Sequence, residues 1–174
     1  LTSRRRGIMK SIEIEEAVAR MFGVRQNLIV PNISWGMGIH ECDLLVVTKS
    51  GFATEVEIKV SRADLRKDFE KKHKHVDRQN RIKRLYYAVP EKLVDYAREI
   101  VPETAGIIKV RLRHDDEHYY AGDLKTKAEI VRDAPTLNSR PLTAAEMNNV
   151  ARLGTMRIWG LKAKLIKANE RLKI

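Results

Sequence analysis

The spacing of apolar residues changes several times along the chain, and each change predicts an element. From Ser11 to Phe22, the residues Ile14, Val18, Met21 and Phe22 recur at helical spacing, so this stretch reads as an amphipathic helix. Glu15 falls at the edge of its apolar face, about 60° from Val18 at 100° per residue, while Glu13 and Glu16 point to solvent. Asn27 to Ile33 follows as a strand, with Pro31 placing it at a sheet edge or a bulge. Ser34 to His40, with Trp35, Gly36 and Gly38, reads as a loop; Trp35 either packs or stacks on a base.

Leu44 to Val47 and Ala53 to Val60 have strand composition, and Lys49, Ser50 and Gly51 between them suit a three-residue hairpin loop with Gly51 left-handed. Centring the turn on Ser50 pairs residues whose numbers sum to about 100. Asp43 then faces Glu57, and Glu41 faces Lys59. Alternation puts Glu41, Asp43, Glu55, Glu57 and Lys59 on one side and Val56, Ile58 and Val60 on the other. Two carboxylates directly opposite, with Cβ atoms roughly 4.5–5.5 Å apart, weaken the pair. A divalent cation between them removes the conflict, because Mg²⁺ is commonly held by one or two carboxylates plus a substrate phosphate. Lys59 then holds a water or a phosphate oxygen beside it. The plainer reading stays open: a half-exposed strand with Lys59 paired to Glu41. Leu44 to Val47 is apolar on both faces, however, so the strand is covered on both sides, and an acid at its end is costly unless paired.

Ser61 and Asp64 have the spacing of an N-cap with a reciprocal acid, opening a helix that runs to about His75. Its apolar stripe is thin, Leu65 and Phe69, and Arg62, Arg66, Lys67, Lys71, Lys72 and Lys74 surround it. His73 and His75 are two apart and lack the spacing of a zinc pair. Arg84 to Val89 is a strand ended by Pro90. Glu91 to Ile100 is a short helix with Leu93, Tyr96, Ala97 and Ile100 inward, and Gly106 to Leu112 is another strand. Strand, helix, strand with short links predicts a right-handed crossover and parallel pairing. The acidic and histidine-rich run His114 to His118 reads as an exposed hairpin or loop and not as a metal site. Lys125 to Pro141 has no decisive pattern. Thr143 and Glu146 form a capping box before a long helix through Val150, Leu153, Met156, Leu161 and Leu165, in which Gly154 and Gly160 are candidate breaks or kinks. Arg152, Arg157, Lys162, Lys164, Lys167, Arg171 and Lys173 make its outer face cationic, suited to nucleic acid or to a second subunit.

Composition narrows the class. The 174 residues suit a single domain, and no apolar run approaches the ~20 residues of a membrane span. Cys42 is the one cysteine, so no internal disulfide forms and a reducing compartment is expected. A formal charge of +11 points to a polyanionic partner, with a membrane surface the weaker option. Leu1 to Lys10, with Arg4, Arg5 and Arg6, is a basic arm or a leader ahead of a start at Met9.

Asp43, then Glu57-Ile58-Lys59 on the next strand, then a helix, resembles the PD-(D/E)XK nuclease superfamily. The runs H-E-C-D-L-L-V-V, E-V-E-I-K-V-S-R-A-D-L, R-L-Y-Y-A-V-P-E-K-L and A-G-I-I-K-V are similar to its MmcB-like, DNA-repair-associated branch, over about Glu13 to Val110. Cys42 stands where the superfamily often has Pro. The resemblance implies an α/β restriction-endonuclease-like fold: a mixed sheet flanked by helices, with an αβββαβ core over 11–124 and a mainly helical extension over 125–174. It implies a Mg²⁺- or Mn²⁺-dependent hydrolase cutting phosphodiesters in DNA, in repair, recombination or mobile-element processing, cytoplasmic and associated with the nucleoid. Asp43, Glu57, Lys59 and Glu15 would be catalytic, and the ion would sit on Asp43, Glu57 and the Ile58 carbonyl. Arg62, Arg66, Lys67, Lys71 and Lys74 would hold the DNA backbone. Two rivals remain: a non-catalytic nucleic-acid-binding module on the same fold, and an assembly protein. Whether the active form is a homodimer is open.

Overall fold

The computed structural model describes residues 9–33, 41–70, 80–113 and 125–171. Trp35 and its neighbouring glycines, the expected continuation of the helix past residue 70 with His73 and His75, the His114–His118 run, and Arg4 to Arg6 and Lys173 lie outside the described residues. The order is α1 (Ser11–Phe22), β1 (Leu28–Ile33), β2 (Cys42–Val47), β3 (Ala53–Ile58), α2 (Arg62–Glu70), β4 (Ile82–Pro90), α3 (Val94–Ile100, after a 3-10 turn Glu91–Leu93), β5 (Gly106–Leu112), β6 (Thr126–Arg132) and α4 (Ala144–Arg171). This is the expected mixed sheet flanked by helices, with a helix at its C-terminal end.

The six strands lie side by side in chain order. The β1–β2, β2–β3 and β5–β6 pairs are antiparallel; β3–β4 and β4–β5 are parallel, as helical crossovers require. The hairpin register is the expected one: Leu44 faces Val56, Leu45 faces Glu55 and Val47 faces Ala53. Gly51 has φ 82°, and its N–H donates to the Thr48 carbonyl at 2.9 Å, closing the turn. Pro31 sits in β1, the edge strand, where a missing N–H costs no ladder bond. The Ser61 hydroxyl accepts from the Asp64 N–H at 3.1 Å, and Asp64 in turn accepts from the Val60 N–H at 3.2 Å. β6, in a stretch whose pattern decides nothing, pairs along β5 and is tied to α1 where Arg20 donates to the Thr126 carbonyl at 2.8 Å.

Three apolar clusters fill the layers. On one side of the sheet, Ile14, Ala17 and Val18 of α1 pack on Leu44, Val56, Ile58, Tyr86 and Ile108. Leu65 of α2 and Val94 and Ala97 of α3 pack on Leu85, Tyr87, Val89 and Ile107. Val150 and Leu153 of α4 close over Val30, Leu45, Val47, Ala53 and Ile82.

α4 corrects one expectation. It runs unbroken for 28 residues through both glycines. Gly154 lies against β1, where an added Cβ would come within 3.2 Å of Val30, so there glycine serves close packing and not a kink. The helix is aimed by its first turn. Glu146 accepts from the Thr143 N–H and receives both terminal nitrogens of Arg140 at 2.8 Å, with Arg81 at 2.9 Å. The segment before it is pinned by Leu142 N–H to the Gly51 carbonyl and Arg140 N–H to the Asn80 carbonyl.

Two outcomes follow for stability. Gly106 has no room for a side chain: a Cβ would meet the Tyr86 ring at 2.4 Å and the Ala134 nitrogen at 2.7 Å. Gly106→Ala should lower stability by about 1–3 kcal/mol in urea unfolding, the usual cost of overpacking. Arg140 holds the Glu146 carboxyl down to about 2 from an ordinary 4.5. A depressed carboxyl stabilises the fold above pH 4.5, and this contribution fades as pH falls towards 2. Glu146→Gln should therefore cost about 1 kcal/mol at neutral pH, a typical cap loss, and the gap from the parent should narrow in melts below pH 4.5.

Candidate active site at the acidic end of the hairpin

The site forms where β2 begins and β3 ends. Register continues from Leu44↔Val56, so Asp43 comes opposite Glu57. The Asp43 side chain turns towards β3: its Oδ2 accepts the Ile58 N–H at 2.8 Å. Glu57 is almost fully enclosed at 4% exposure, and Asp43 keeps 41% of its side chain open. The opposed carboxylates thus share one backbone-anchored corner, one buried and one facing out.

Lys59 neutralises this corner. Its ammonium lies 2.8 Å from Glu57 Oε2, 3.1 Å from Asp68 Oδ1 and 3.9 Å from Asp43 Oδ2. The second oxygen of Asp68 accepts the Tyr87 hydroxyl at 2.9 Å. Burial works against the Lys59 charge, but Glu57 and then Asp68 outweigh it and hold its pKa above the ordinary lysine value. Lys59 is therefore a fixed cation at neutral pH and a donor, which leaves it unable to take a proton from water in this arrangement. Burial raises the Glu57 pKa; Lys59 opposes that rise and Asp43 adds to it. Glu15 is raised in the same direction, first by burial and then by Asp43. Burial and the surrounding carboxylates Glu55, Glu57, Asp43 and Glu41 push the Cys42 thiol well above its usual range, so it is an inert filler.

Asp68 is a member of this network that the sequence pattern does not announce. It stands among lysines and arginines on a helix that reads as solvated. The usable signal is its position three residues after Leu65, which puts it on the face buried against the sheet.

A cleft of about 770 Å³ opens above the corner. Its floor holds Glu41, Asp43 and Glu57; α1 contributes Ser11, Ile12 and Glu15; and the end of β1 contributes Asn32 and Ile33. The remaining wall is α4, with Met156, Arg157, Gly160, Leu161 and Lys164. Glu15, Asp43 and Glu57 are thus brought to one cavity, and Lys59 lies behind it. The described α2 cations do not line the cleft. Arg62 stacks over the Tyr96 ring at 4.9 Å and Arg66 Nε donates to the Tyr96 hydroxyl at 3.4 Å, and neither of these nor Lys67 lines the cleft. Lys71 and Lys74 lie outside the described residues. Arg157 and Lys164 are the cations on the cleft wall. Arg157 also ties α4 to β1 by donating to the Asn32 carbonyl.

Among the described residues, no group of three or more His, Cys, Asp or Glu side chains converges closely enough to hold a metal ion unaided. The donor set suits a hard cation that shares its coordination with a substrate: two oxygen-bearing carboxylates at one corner, and no soft ligand but a buried thiol. No described helix is long and apolar enough to cross a membrane.

A solved structure of a protein of unknown function from Silicibacter pomeroyi is similar, with TM-score 0.58 at 21% identity over 89% of this chain and 90% of that one, a likeness of fold. No curated protein matches the chain. The family model described as DNA repair protein MmcB-like matches residues 2–164. The whole sheet, the cleft-lining residues and all but the last turns of α4 fall within that span, and the chain belongs to the MmcB-like family of DNA repair proteins.

Proposed function

We propose that the protein is a metal-dependent nuclease of the PD-(D/E)XK type that hydrolyses phosphodiesters in DNA. The observation that carries the reading is the opposition of Asp43 and Glu57 on the acidic floor of a cleft in a chain of charge +11. An acidic floor repels phosphate. It makes sense in a basic DNA repair protein when a cation mediates between the two. Asp43, Glu57 and the Ile58 carbonyl would hold Mg²⁺ or Mn²⁺, which would supply positive charge to polarise a phosphodiester and acidify water. Asp43 is oriented for this by the Ile58 N–H, and Glu57 by Lys59. Lys59 acts as a cation: it steadies Glu57, and from there it stabilises charge growing on phosphate oxygens. Glu15 supports the ion or a water from the α1 wall.

A non-catalytic DNA-binding module on the same fold is the second reading, and one observation favours it. Lys59 already balances Glu57 and Asp68, so the buried charges are satisfied without a metal.

Linear, nicked, branched and single-stranded DNA should be incubated with Mn²⁺, Mg²⁺ or EDTA. The nuclease reading expects cleavage with either metal and none in EDTA. Asp43→Asn keeps the acceptor for Ile58 and should lower the rate by at least the roughly 100-fold that outer-shell metal-site changes reach. The same change should remove a Mn²⁺-induced rise in melting temperature. DNA binding without cleavage of any of the four substrates would decide for the module.

Lys59 gives a second check. Lys59→Met strands Glu57 and Asp68 without their cation and should cost about 3–5 kcal/mol in urea unfolding. Mn²⁺ should then raise the melting temperature of Lys59→Met more than that of the parent, because the carboxylates have lost their built-in counter-charge. An equal or smaller rise would mean that the ion does not bind at this corner.

A further inference from the structure

We propose that the cleft-facing stripe of α4 is a cationic rail that leads a single DNA strand, and not a duplex, onto the acidic floor. The inference rests on the cleft being the DNA site of the preceding section.

The first observation is the stripe itself. Arg157, Gly160 and Lys164 line the cleft, and at 3.6 residues per turn Lys167 and Arg171 fall on the same side of the helix, all five within about 80° of its circumference. From Arg157 to Arg171 the row is about 21 Å long at 1.5 Å per residue. Lys164, Lys167 and Arg171 are exposed and have no acidic partner among the described residues. The row starts inside the cleft and continues along exposed helix.

The second observation is Gly160. A mid-helix glycine costs about 1 kcal/mol relative to alanine. Gly154 has a packing reason, its contact with Val30. A Cβ at Gly160 would meet nothing within 4 Å. Nothing among the described residues fills the space, and it opens the cleft wall between Met156 and Lys164, where a strand would pass.

The third observation is size. At about 770 Å³ the cleft lies within the roughly 300–1,000 Å³ of small-ligand sites, which is room for a nucleotide or two. A duplex offers its grooves to protein elements from outside. Only an unpaired strand can put a phosphate down against Asp43 and Glu57 while its neighbouring phosphates follow Lys164, Lys167 and Arg171. Met156 and Leu161 give its bases apolar surface to lie on.

The test is fluorescence anisotropy with a labelled single-stranded oligonucleotide and with its duplex, at several salt concentrations, with Ca²⁺ present as the mediating cation and the oligonucleotide checked for integrity after each titration. Because only uncut DNA is counted, the result stands whether or not the protein proves to be a nuclease. We expect the single strand to bind about tenfold or more tightly than the duplex. Lys164→Glu with Arg171→Glu should weaken single-strand binding about tenfold and flatten its salt slope by about 0.7 per lost contact. Lys162→Glu is the control, since Lys162 lies on the opposite side of α4 with its ammonium over the Trp159 ring at 4.7 Å. Gly160→Leu, which fills the opening, should weaken single-strand binding with no loss in melting temperature. Duplex binding as tight as single-strand binding overturns the proposal. So does a Lys162→Glu effect as large as that of the rail variants, which would make net charge the cause.

Discussion

Lys59 is the constraint on which the rest turns. Three carboxylates meet at the end of the hairpin, two of them almost wholly out of water, and a buried charge left alone carries a penalty of several kcal/mol. The ammonium at 2.8 Å from Glu57 and 3.1 Å from Asp68 meets that penalty and joins β3 to α2. The Tyr87 hydroxyl on Asp68 extends the link to β4. Asp43 stands at the open side of this cluster, 3.9 Å from the ammonium and held by a backbone N–H. The corner is therefore balanced inside and negative towards the cleft.

The second constraint is the placement of α4. A helix of 28 residues that touched the body only by its apolar stripe could settle in several orientations. Glu146, gripped by Arg140 and Arg81, fixes its origin beside the start of β4. Gly154 lets it settle on Val30, and Arg157 ties it to the end of β1. These contacts make α4 a wall of the cleft. The helix thus brings Arg157 and Lys164 to the wall of a cleft whose floor holds Glu41, Asp43 and Glu57, while Arg62 and Arg66 of α2 lie at Tyr96.

Family membership and geometry speak to different levels. The family ties the chain to DNA repair; the likeness to the Silicibacter pomeroyi protein concerns fold. The proposed chemistry rests on the corner itself: opposed carboxylates, a lysine held as a cation, and the cleft that opens above them.

Local pattern was enough for the elements and for the hairpin. Gly51 between two apolar runs admits one tight turn, and alternation then places Asp43 opposite Glu57, because a one-residue slip would turn Leu45 and Val47 out of the core. Pro31 at an edge strand, the Ser61–Asp64 cap and the Thr143–Glu146 box are likewise short-range facts, written within four residues of each other. What only the folded molecule decided has long range. Asp68 reaches Lys59 because Leu65 buries that face of α2; β6 forms because β5 offers it an edge; Gly154 packs where it reads as a kink, because β1 lies beneath it. Each of these depends on a surface supplied by a distant segment, and no window of neighbouring residues contains that information.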